Sequence, residues 1–177
     1  MRVIAGELGG RRLQTPRGEA TRPTAGRVRE ALFAMLGDIE GALVLDLFAG
    51  SGALGIEALS RGAARATFVE RAPRALAALR ANVEALGLGE RCEIVARDAL
   101  AALRGAAIYD LVFLDPPYAM AVELSTALSQ KLPGALAPGA RVVSESDRRA
   151  PLELALPLLR ERVYGDTMIR IHETSEP

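Results

Sequence analysis

The residues best suited to chemistry are Asp115-Pro116-Pro117-Tyr118, which follow the strongly apolar run LVFL at residues 111–114. Two successive prolines remove backbone N–H donors and hold an extended, rigid turn. The Asp115 carboxylate and the Pro116 carbonyl oxygen are therefore acceptors without competing donors, and Tyr118 offers an aromatic face. This set suits a planar heterocycle whose exocyclic amine donates to both acceptors while its ring stacks on Tyr118, as flipped bases do.

The same motif predicts that the amine acts as a nucleophile. An aryl amine is a poor nucleophile because its lone pair is delocalised into the ring. Hydrogen bonds that hold both amine protons would localise the lone pair toward an electrophile, and Asp115 could take the released proton. Positioning and electrostatics would then supply most of the acceleration. A purely structural turn is the alternative, but a buried carboxylate at a strand end normally needs a partner.

A second candidate is the glycine loop, residues 50–55, whose sequence GSGALG fits G-x-G-x-x-G between a predicted strand and a predicted helix. Such a loop lets backbone N–H groups approach a ligand at a helix N-terminus. Glu70, at the end of the next predicted strand, is suited to bind two ribose hydroxyls. The loop is compatible with no ligand, with a nicotinamide dinucleotide or with S-adenosylmethionine.

Two further carboxylates bear on that choice. Asp46, just before the loop, would repel a pyrophosphate but suits a ligand that carries an ammonium group and a sulfonium. Asp98 follows the third predicted strand, at the edge where open α/β sheets bind ligands, although it could equally cap the helix that it begins. The residues therefore favour S-adenosylmethionine and leave a dinucleotide-dependent oxidoreductase as the distant alternative.

Alternating strand and helix patterns supply the framework for these residues. Strands are predicted at residues 42–47, 65–70, 91–96, 109–115 and 141–145, and helices at residues 53–61, 73–86, 121–132 and 151–159, with a short helix from Asp98. The strands are continuous apolar runs, as in parallel sheets that are covered on both faces. Residues 160–172 contain two strand-like runs around Gly165-Asp166. We therefore predict an α/β fold with a seven-stranded, mostly parallel sheet that ends in an antiparallel hairpin.

Charge is distributed unevenly along the chain. The 177 residues contain 22 basic and 22 acidic side chains, so the net charge is zero. Residues 1–37 carry seven arginines and three acids, a net charge of +4, and the remainder carries −4. We predict that residues 1–40 form a small extension, a β-hairpin and a helix capped by Thr24, which faces a polyanion. Residues 41–177 would then form the catalytic domain.

The composition also excludes other classes of protein. One cysteine, Cys92, cannot form an internal disulfide, and with the one histidine, His172, it cannot supply a three- or four-ligand zinc site. No apolar stretch approaches the ~20 residues of a membrane span, and the N-terminus lacks the pattern of a signal peptide. We expect a cytoplasmic protein without a metal, monomeric by default.

Together these residues resemble the class I methyltransferases and, more narrowly, the RsmD family of bacterial 16S rRNA guanine-N2 methyltransferases. The Asp-Pro-Pro-Tyr element alone is shared with adenine-N6 enzymes. The N-terminal run RPT…RVRE is what restricts the resemblance to the RsmD family. The resemblance covers nearly the whole chain and includes MRVIAG at residues 1–6, RPT at 22–24, RVREALF at 27–33, LDLFAGSGALG at 45–55, EALSRG at 57–62 and DLVFLDPPY at 110–118.

The resemblance implies a Rossmann-like fold, S-adenosylmethionine as the donor, and the N2 amine of one guanine in 16S rRNA as the acceptor, within the small subunit or an assembly intermediate. The residues that it assigns to the target base are Asp115, Pro116, Pro117 and Tyr118. Those that it assigns to the cofactor are Asp46, Phe48, Ala49, Gly50, Ser51, Gly52, Glu70, Asp98, Ala99 and Asp115. Those that it assigns to RNA are Arg2, Arg11, Arg12, Arg22, Thr24, Arg27 and Arg29.

One position departs from the family pattern. Members often carry a polar capping residue two positions after the ribose-binding acid, where this chain has Ala72. Other functions stay open: an N6-adenine methyltransferase on RNA or DNA is the nearest. A protein-amide methyltransferase would resemble Asn-Pro-Pro-Tyr instead, and a non-catalytic RNA-binding module would need the basic extension but not the pocket.

Overall fold

The computed structural model describes residues 1–16, 23–103 and 108–175, through most of which strands and helices alternate. In chain order these elements are α1 (Pro23–Leu36), β1 (Leu43–Asp46), α2 (Ala53–Ser60), β2 (Arg65–Glu70), α3 (Pro73–Ala85), β3 (Cys92–Ala96), α4 (Ala99–Ala102), β4 (Tyr109–Leu114), α5 (Ala121–Lys131), β5 (Leu136–Asp147), β6 (Leu158–Tyr164) and β7 (Thr167–Glu173). Such alternation leads to a sheet with helices on both faces.

The strands form one sheet in the order β3-β2-β1-β4-β5-β7-β6. Strands β1 to β5 are parallel, and β7 pairs antiparallel with both β5 and β6. The predicted seven-stranded, mostly parallel sheet with an antiparallel C-terminal hairpin is therefore confirmed. The strand order reverses between β1 and β4, and open sheets place ligands beyond the carboxyl ends of the strands at such a point.

Helices cover both faces of the sheet, so its central strands are buried on both sides. Helices α1, α2 and α3 contribute to a core layer that contains the fully buried rings of Phe68 and Phe113. Helix α5 covers the other face, where Leu114 and Leu128 lie. This double burial explains why β4 is a continuous apolar run. Among the described residues, no helix is long and apolar enough to cross a bilayer.

The N-terminal segment, residues 1–16, folds back on itself with a single antiparallel bridge between Arg2 and Arg12. The predicted hairpin is thus reduced to one bridge with a few backbone hydrogen bonds around it. Val3 and Leu13 are buried in the same core layer as residues of α2 and α3. The basic extension therefore shares the hydrophobic core of the sheet instead of forming a core of its own.

A buried carboxylate on α2 holds this segment in place. Glu57 is 0% exposed and accepts hydrogen bonds from the backbone N–H groups of Ile4 at 2.8 Å and Ala5 at 3.1 Å. It also accepts from Nε of Arg61, one helical turn later, at 2.8 Å. These bonds replace the ladder that a regular hairpin would form. A buried charge needs such partners, so the segment and α2 stabilise each other.

One predicted helix boundary is wrong. Helix α1 begins at Pro23, so Thr24 lies within the helix instead of capping it. Proline suits the first helical position because its missing N–H would have no intrahelical partner there.

The helix predicted over residues 151–159 is also wrong, since this stretch has no regular secondary structure until β6 begins. The backbone N–H of Glu153 donates to Oγ of Ser125 at 3.0 Å, and that of Ala155 donates to Oγ of Ser129 at 2.9 Å. Both serines lie on α5, one turn apart. This irregular conformation is therefore stabilised by side-chain acceptors on another element, an effect that local helix propensity cannot predict.

Candidate active site

A crevice of about 1000 Å³ opens beyond the carboxyl ends of the central strands, at the point where the strand order reverses. The N-terminal segment and α1 contribute one wall, and the turn between β6 and β7 contributes part of the rim. The predicted cofactor and target-base residues that line it are Phe48, Ala49, Gly50, Ser51, Glu70, Asp98, Ala99, Asp115, Pro116 and Pro117, and Arg29 of the predicted RNA contacts lines it as well. The cofactor and target-base residues predicted from the sequence are thus largely brought together in one space.

The glycine loop is held close to the sheet by its neighbours. The backbone N–H of Gly50 donates to Oε2 of Glu70 at 2.8 Å. Gly52 has a φ of +86°, and a Cβ there would lie 2.5 Å from Cδ1 of Leu79. A larger residue there would strain the backbone and displace the side chain of Leu79, so the conformation and the space both favour glycine. Gly52 itself does not line the crevice but sets the turn that exposes the backbone of Gly50 and Ser51.

Glu70 has its carboxylate oriented by three backbone N–H groups. Besides Gly50 on Oε2, the N–H groups of Arg71 and Ala72 each donate to Oε1 at 2.7 Å. Ala72 is the N-cap of α3 and provides no side-chain hydrogen bond. The Glu70 carboxylate thus supplies the acceptor that the family's polar capping residue would supply. It also carries the negative charge that suits a helix N-terminus.

Asp98 has two hydrogen-bonding roles at the crevice edge. Its Oδ1 accepts from the N–H of Leu100 at 3.0 Å and so caps α4. Its Oδ2 accepts from Nη1 of Arg71 at 3.2 Å in an exposed ion pair. The two interpretations of Asp98 from the sequence, helix cap and crevice residue, are therefore compatible with each other.

Asp46 lies behind the glycine loop instead of facing the crevice. It is 1% exposed and accepts a hydrogen bond from the backbone N–H of Gly55 at 3.0 Å. Burial raises the pKa of Asp46 to about 7, the bond from Gly55 opposes this shift, and the charge of Glu70 adds to it. Direct contact of Asp46 with a ligand stays a prediction, since its observed role is to anchor the start of α2.

Asp115 enters the crevice directly after β4. Burial, followed by the negative charges of Glu145 and then Asp46, holds the pKa of Asp115 well above its ordinary value. The side chain of Tyr118, which the sequence assigns to stacking, lies outside the described part of the structure. Asp115 therefore has the environment of a proton acceptor in a crowded acidic site.

Glu145, on β5, also lines the crevice, and sequence reasoning missed it. Its signal in the sequence is an acid near the carboxyl end of the strand that pairs with β4. Leu114 pairs with Ser144 in the parallel register, so Asp115 and Glu145 each follow a paired residue. Only knowledge of this register brings the two carboxylates together.

One predicted RNA contact, Arg29, is mostly buried in this structure. Arg29 is 5% exposed, and its Nη2 donates to the carbonyl oxygen of Arg2 at 2.5 Å. Its Nε lies 3.6 Å from Oε2 of Glu57. Arg29 therefore joins α1, the N-terminal segment and α2, and the little of it that is exposed lies at the crevice.

The other predicted RNA contacts lie mostly on the surface. Arg2, Arg11, Arg12 and Arg27 are exposed. The guanidinium of Arg2 donates to the carbonyl oxygen of Gly10 at 2.7 Å, and that of Arg11 to the carbonyl oxygen of Ala85 at 3.1 Å. Arg22 and the side chain of Thr24 lie outside the described residues.

The single cysteine and the single histidine lie away from the crevice. Cys92 is half-buried in β3, and burial raises the pKa of its thiol to about 11. His172 is buried in β7 with Nδ1 3.1 Å from the carbonyl oxygen of Leu156, and burial lowers the pKa of its imidazole. Both are inert packing residues in this structure.

Comparisons with known proteins place the chain in a family. The family model described as "Conserved hypothetical protein 95" matches residues 1–173. Ribosomal RNA small subunit methyltransferase D of Escherichia coli is 37% identical over 182 residues, which cover 98% of this chain and 89% of that protein. The solved structure of the methyltransferase yhhF of Escherichia coli matches with a TM-score of 0.85 at 36% identity. The match covers 100% of this chain and 99% of the yhhF chain.

A more distant structure shares the fold alone. It is the RNA methyltransferase from Salinibacter ruber, solved in complex with S-adenosyl-L-homocysteine. The match has a TM-score of 0.66 at 21% identity and covers 88% of this chain and 95% of that chain. The full-length matches at 36% and 37% identity are the decisive ones. They and the family model show that this protein belongs to the RsmD family of methyltransferases.

Proposed function

We propose that the protein transfers a methyl group from S-adenosylmethionine to the exocyclic N2 amine of a guanine in 16S rRNA. The observation that carries this proposal is that the acceptor pair of Asp115 and Pro116 lines the same crevice as the glycine loop and Glu70. Relatives named as small-subunit rRNA methyltransferases support the class of substrate.

The residues of the crevice fit S-adenosylmethionine. Glu70 is already oriented by three backbone N–H groups, and its remaining lone-pair site can accept from a ribose hydroxyl. The backbone of Gly50 and Ser51 can approach the methionine end, while Asp98 and Ala99 lie where the adenine would bind. A crevice of about 1000 Å³ is at the upper end of ligand-site volumes, which leaves space for a base beside the cofactor.

The chain's own residues would prepare the acceptor for methyl transfer. S-adenosylmethionine, when bound, supplies a methyl group on a positively charged sulfur that leaves as a neutral thioether. The Asp115 carboxylate and the Pro116 carbonyl oxygen hold the two amine protons, and Tyr118 stacks on the ring. As the new N–C bond forms, the amine releases a proton, which Asp115 accepts. A raised pKa makes the ionised carboxylate of Asp115 a stronger proton acceptor.

The basic N-terminal extension would face the RNA. Residues 1–40 serve this role, and the contacts come from Arg2, Arg11, Arg12, Arg22, Thr24 and Arg27, with Arg29 removed from the predicted set because of its burial. With no net charge overall, long-range attraction to naked RNA is weak, so the substrate is the small subunit or an assembly intermediate. The enzyme acts as a monomer in the cytoplasm.

An N6-adenine methyltransferase is the second candidate, because the Asp-Pro-Pro-Tyr motif holds an exocyclic amine of either purine. The nicotinamide oxidoreductase is set aside, since it leaves Asp115 and Pro116 without a role and conflicts with the family.

Methyl transfer itself can be tested with purified small subunits from cells that lack the gene. The protein is incubated with S-adenosylmethionine labelled in its methyl group and with small subunits, large subunits or naked 16S rRNA. We expect label in small subunits, less in naked 16S rRNA and none in large subunits. Label only in large subunits, or no label with any of the three, would contradict the proposal.

A further inference from the structure

The carboxylate of Glu145 has no part in the proposed transfer. It nevertheless lies next to Asp115, the residue proposed to bind the amine. Glu145 and Asp115 line the same crevice, and they lie close enough for the charge of one to act on the other. Their adjacency comes from neighbouring parallel strands, β4 and β5, which run about 4.8 Å apart in such a sheet.

The sheet register places both side chains on the same face. Phe113 pairs with Val143, and both are buried in the core layer that contains α1 and α2. Side chains alternate along a strand, so the residues two positions later, Asp115 and Glu145, leave the sheet on that same face. The two carboxylates are therefore side by side at the base of the crevice.

The hydrogen-bonding edges of the two candidate purines differ beside the reacting amine. In guanine the ring nitrogen N1, next to the N2 amine, carries a hydrogen and donates. In adenine both ring nitrogens that flank the N6 amine are acceptors. An ionised carboxylate can only accept. A third acceptor next to the pair that holds the amine therefore matches guanine, while it would face a lone pair of adenine.

We propose that Glu145 determines the choice of base by accepting a hydrogen bond from N1–H of the target guanine while Asp115 and Pro116 hold its N2 amine. This inference rests on the proposed guanine-N2 function and adds the residue that makes it selective. A site built to hydrogen-bond an N–H strongly rejects an analogue without that group, because the acceptor of the site then faces an acceptor of the analogue.

The test compares guanine with 2-aminopurine, which keeps the exocyclic amine but has an acceptor at N1. Small subunits are reconstituted with either base at the position that mapping identifies as the target. Initial rates of methyl transfer are measured for the wild type, Glu145→Gln and Glu145→Leu. Each of the three enzymes is tested with both bases. The missing O6 of 2-aminopurine therefore affects the base preference of all three alike, and a difference in preference between them reports on Glu145. Cofactor affinity, measured with S-adenosylhomocysteine, reports on the rest of the site.

We expect the wild type to prefer guanine by on the order of 10²-fold or more. Glu145→Gln, whose amide can accept from N1–H or donate to N1, should lower that preference at least tenfold, and Glu145→Leu should abolish most of it. Both variants should bind S-adenosylhomocysteine like the wild type.

A guanine preference that is unchanged in both variants would overturn the role of Glu145, and so would loss of S-adenosylhomocysteine binding by both. A wild type that methylates guanine and 2-aminopurine equally well would overturn it while leaving the proposed function intact. A wild type that methylates neither would instead contradict the proposed function.

Discussion

Asn82 donates a hydrogen bond from Nδ2 to the carbonyl oxygen of Ser51 at 2.9 Å, within the interior. The same Nδ2 donates to the carbonyl oxygen of Gln14 at 3.0 Å, and Oδ1 accepts from the N–H of Gln14 at 2.7 Å. One side chain on α3 therefore joins the glycine loop to the N-terminal segment. The two regions proposed to bind cofactor and RNA share this link.

Removing the link should affect both regions. Asn82→Ala loses three hydrogen bonds and leaves the buried carbonyl oxygen of Ser51 without this donor, so we expect about 2–3 kcal/mol less stability toward unfolding. We also expect weaker binding of S-adenosylhomocysteine and faster amide exchange in residues 1–16. Thermal unfolding, calorimetry and hydrogen exchange measure these effects. Glu84→Ala, at an exposed position on the same helix, is the matched control. Unchanged exchange and affinity in Asn82→Ala would contradict the link.

The buried carboxyl group of Asp46 predicts a specific pH dependence of stability. Its pKa is about 7 in the folded protein, above the ordinary value of 3.8. The folded state therefore binds a proton more tightly than the unfolded state, and the stability this confers is lost as the pH rises from about 4 to about 7. The slope is at most about 1.4 kcal/mol per pH unit.

Asp46→Asn removes this titration and keeps an acceptor for the N–H of Gly55. We expect its free energy of unfolding, relative to that of the wild type, to increase between pH 4 and pH 7 and then to level off. Denaturant unfolding at several pH values measures the difference. A difference that is independent of pH would show that Asp46 titrates normally.

Asp115→Ala tests the group that holds the amine. It removes one preorganised acceptor and the proton acceptor, so the rate of methyl transfer should fall by roughly 10²-fold or more. Binding of S-adenosylhomocysteine should change little, since the glycine loop and Glu70 are retained. Single-turnover rates and calorimetry separate the two effects. If Asp115→Ala instead weakened cofactor binding strongly while the single-turnover rate at saturating cofactor stayed intact, the proposed role would be wrong.

Two arginines of α1, Arg27 and Arg29, should behave differently because one is exposed and the other buried. Arg27→Ala should make the plot of log RNA affinity against log salt concentration less steep by about one unit, which is the effect of one lost phosphate contact. Arg29→Ala should leave that slope unchanged but reduce stability by about 3 kcal/mol, because it removes the cation beside buried Glu57. Salt titrations of small-subunit binding, with thermal unfolding, test the pair. The reverse pattern would return Arg29 to the RNA surface.

Gly6 and Gly10 form a matched pair in the N-terminal segment, since both have a φ of +81°. A Cβ at Gly6 would lie 1.7 Å from the carbonyl oxygen of Ser60, whereas a Cβ at Gly10 meets nothing within 4 Å. Gly10→Ala should therefore cost only backbone strain, about 1–2 kcal/mol. Gly6→Ala should cost at least about 2 kcal/mol more, because the segment must move off α2. Equal unfolding free energies would mean that the segment is not docked as described.

Much of the fold could be predicted because its signals are local. Strand β2 has the predicted bounds, and the proline at the start of α3 marks the next helix. The glycine loop and the Asp-Pro-Pro turn are contiguous, so their meeting in one crevice needs only the rule that parallel strands end at the same edge.

What sequence reasoning missed depends on partners that are distant along the chain. The pattern in α1 could not show that Arg29 is buried, because its counter-ion Glu57 lies on another helix. The role of Glu145 beside Asp115 depends on the register of β4 and β5. Likewise, the irregular stretch after Pro151 depends on hydroxyl groups of α5.

The central claim concerns one atom, N2 of a guanine, and its most direct test identifies the methylated nucleoside. Small subunits from cells that lack the gene are incubated with the protein and methyl-labelled S-adenosylmethionine, and the 16S rRNA is digested and analysed by mass spectrometry. The account predicts label in N2-methylguanosine at a single position. Label in N6-methyladenosine, or in any nucleoside other than N2-methylguanosine, would contradict it.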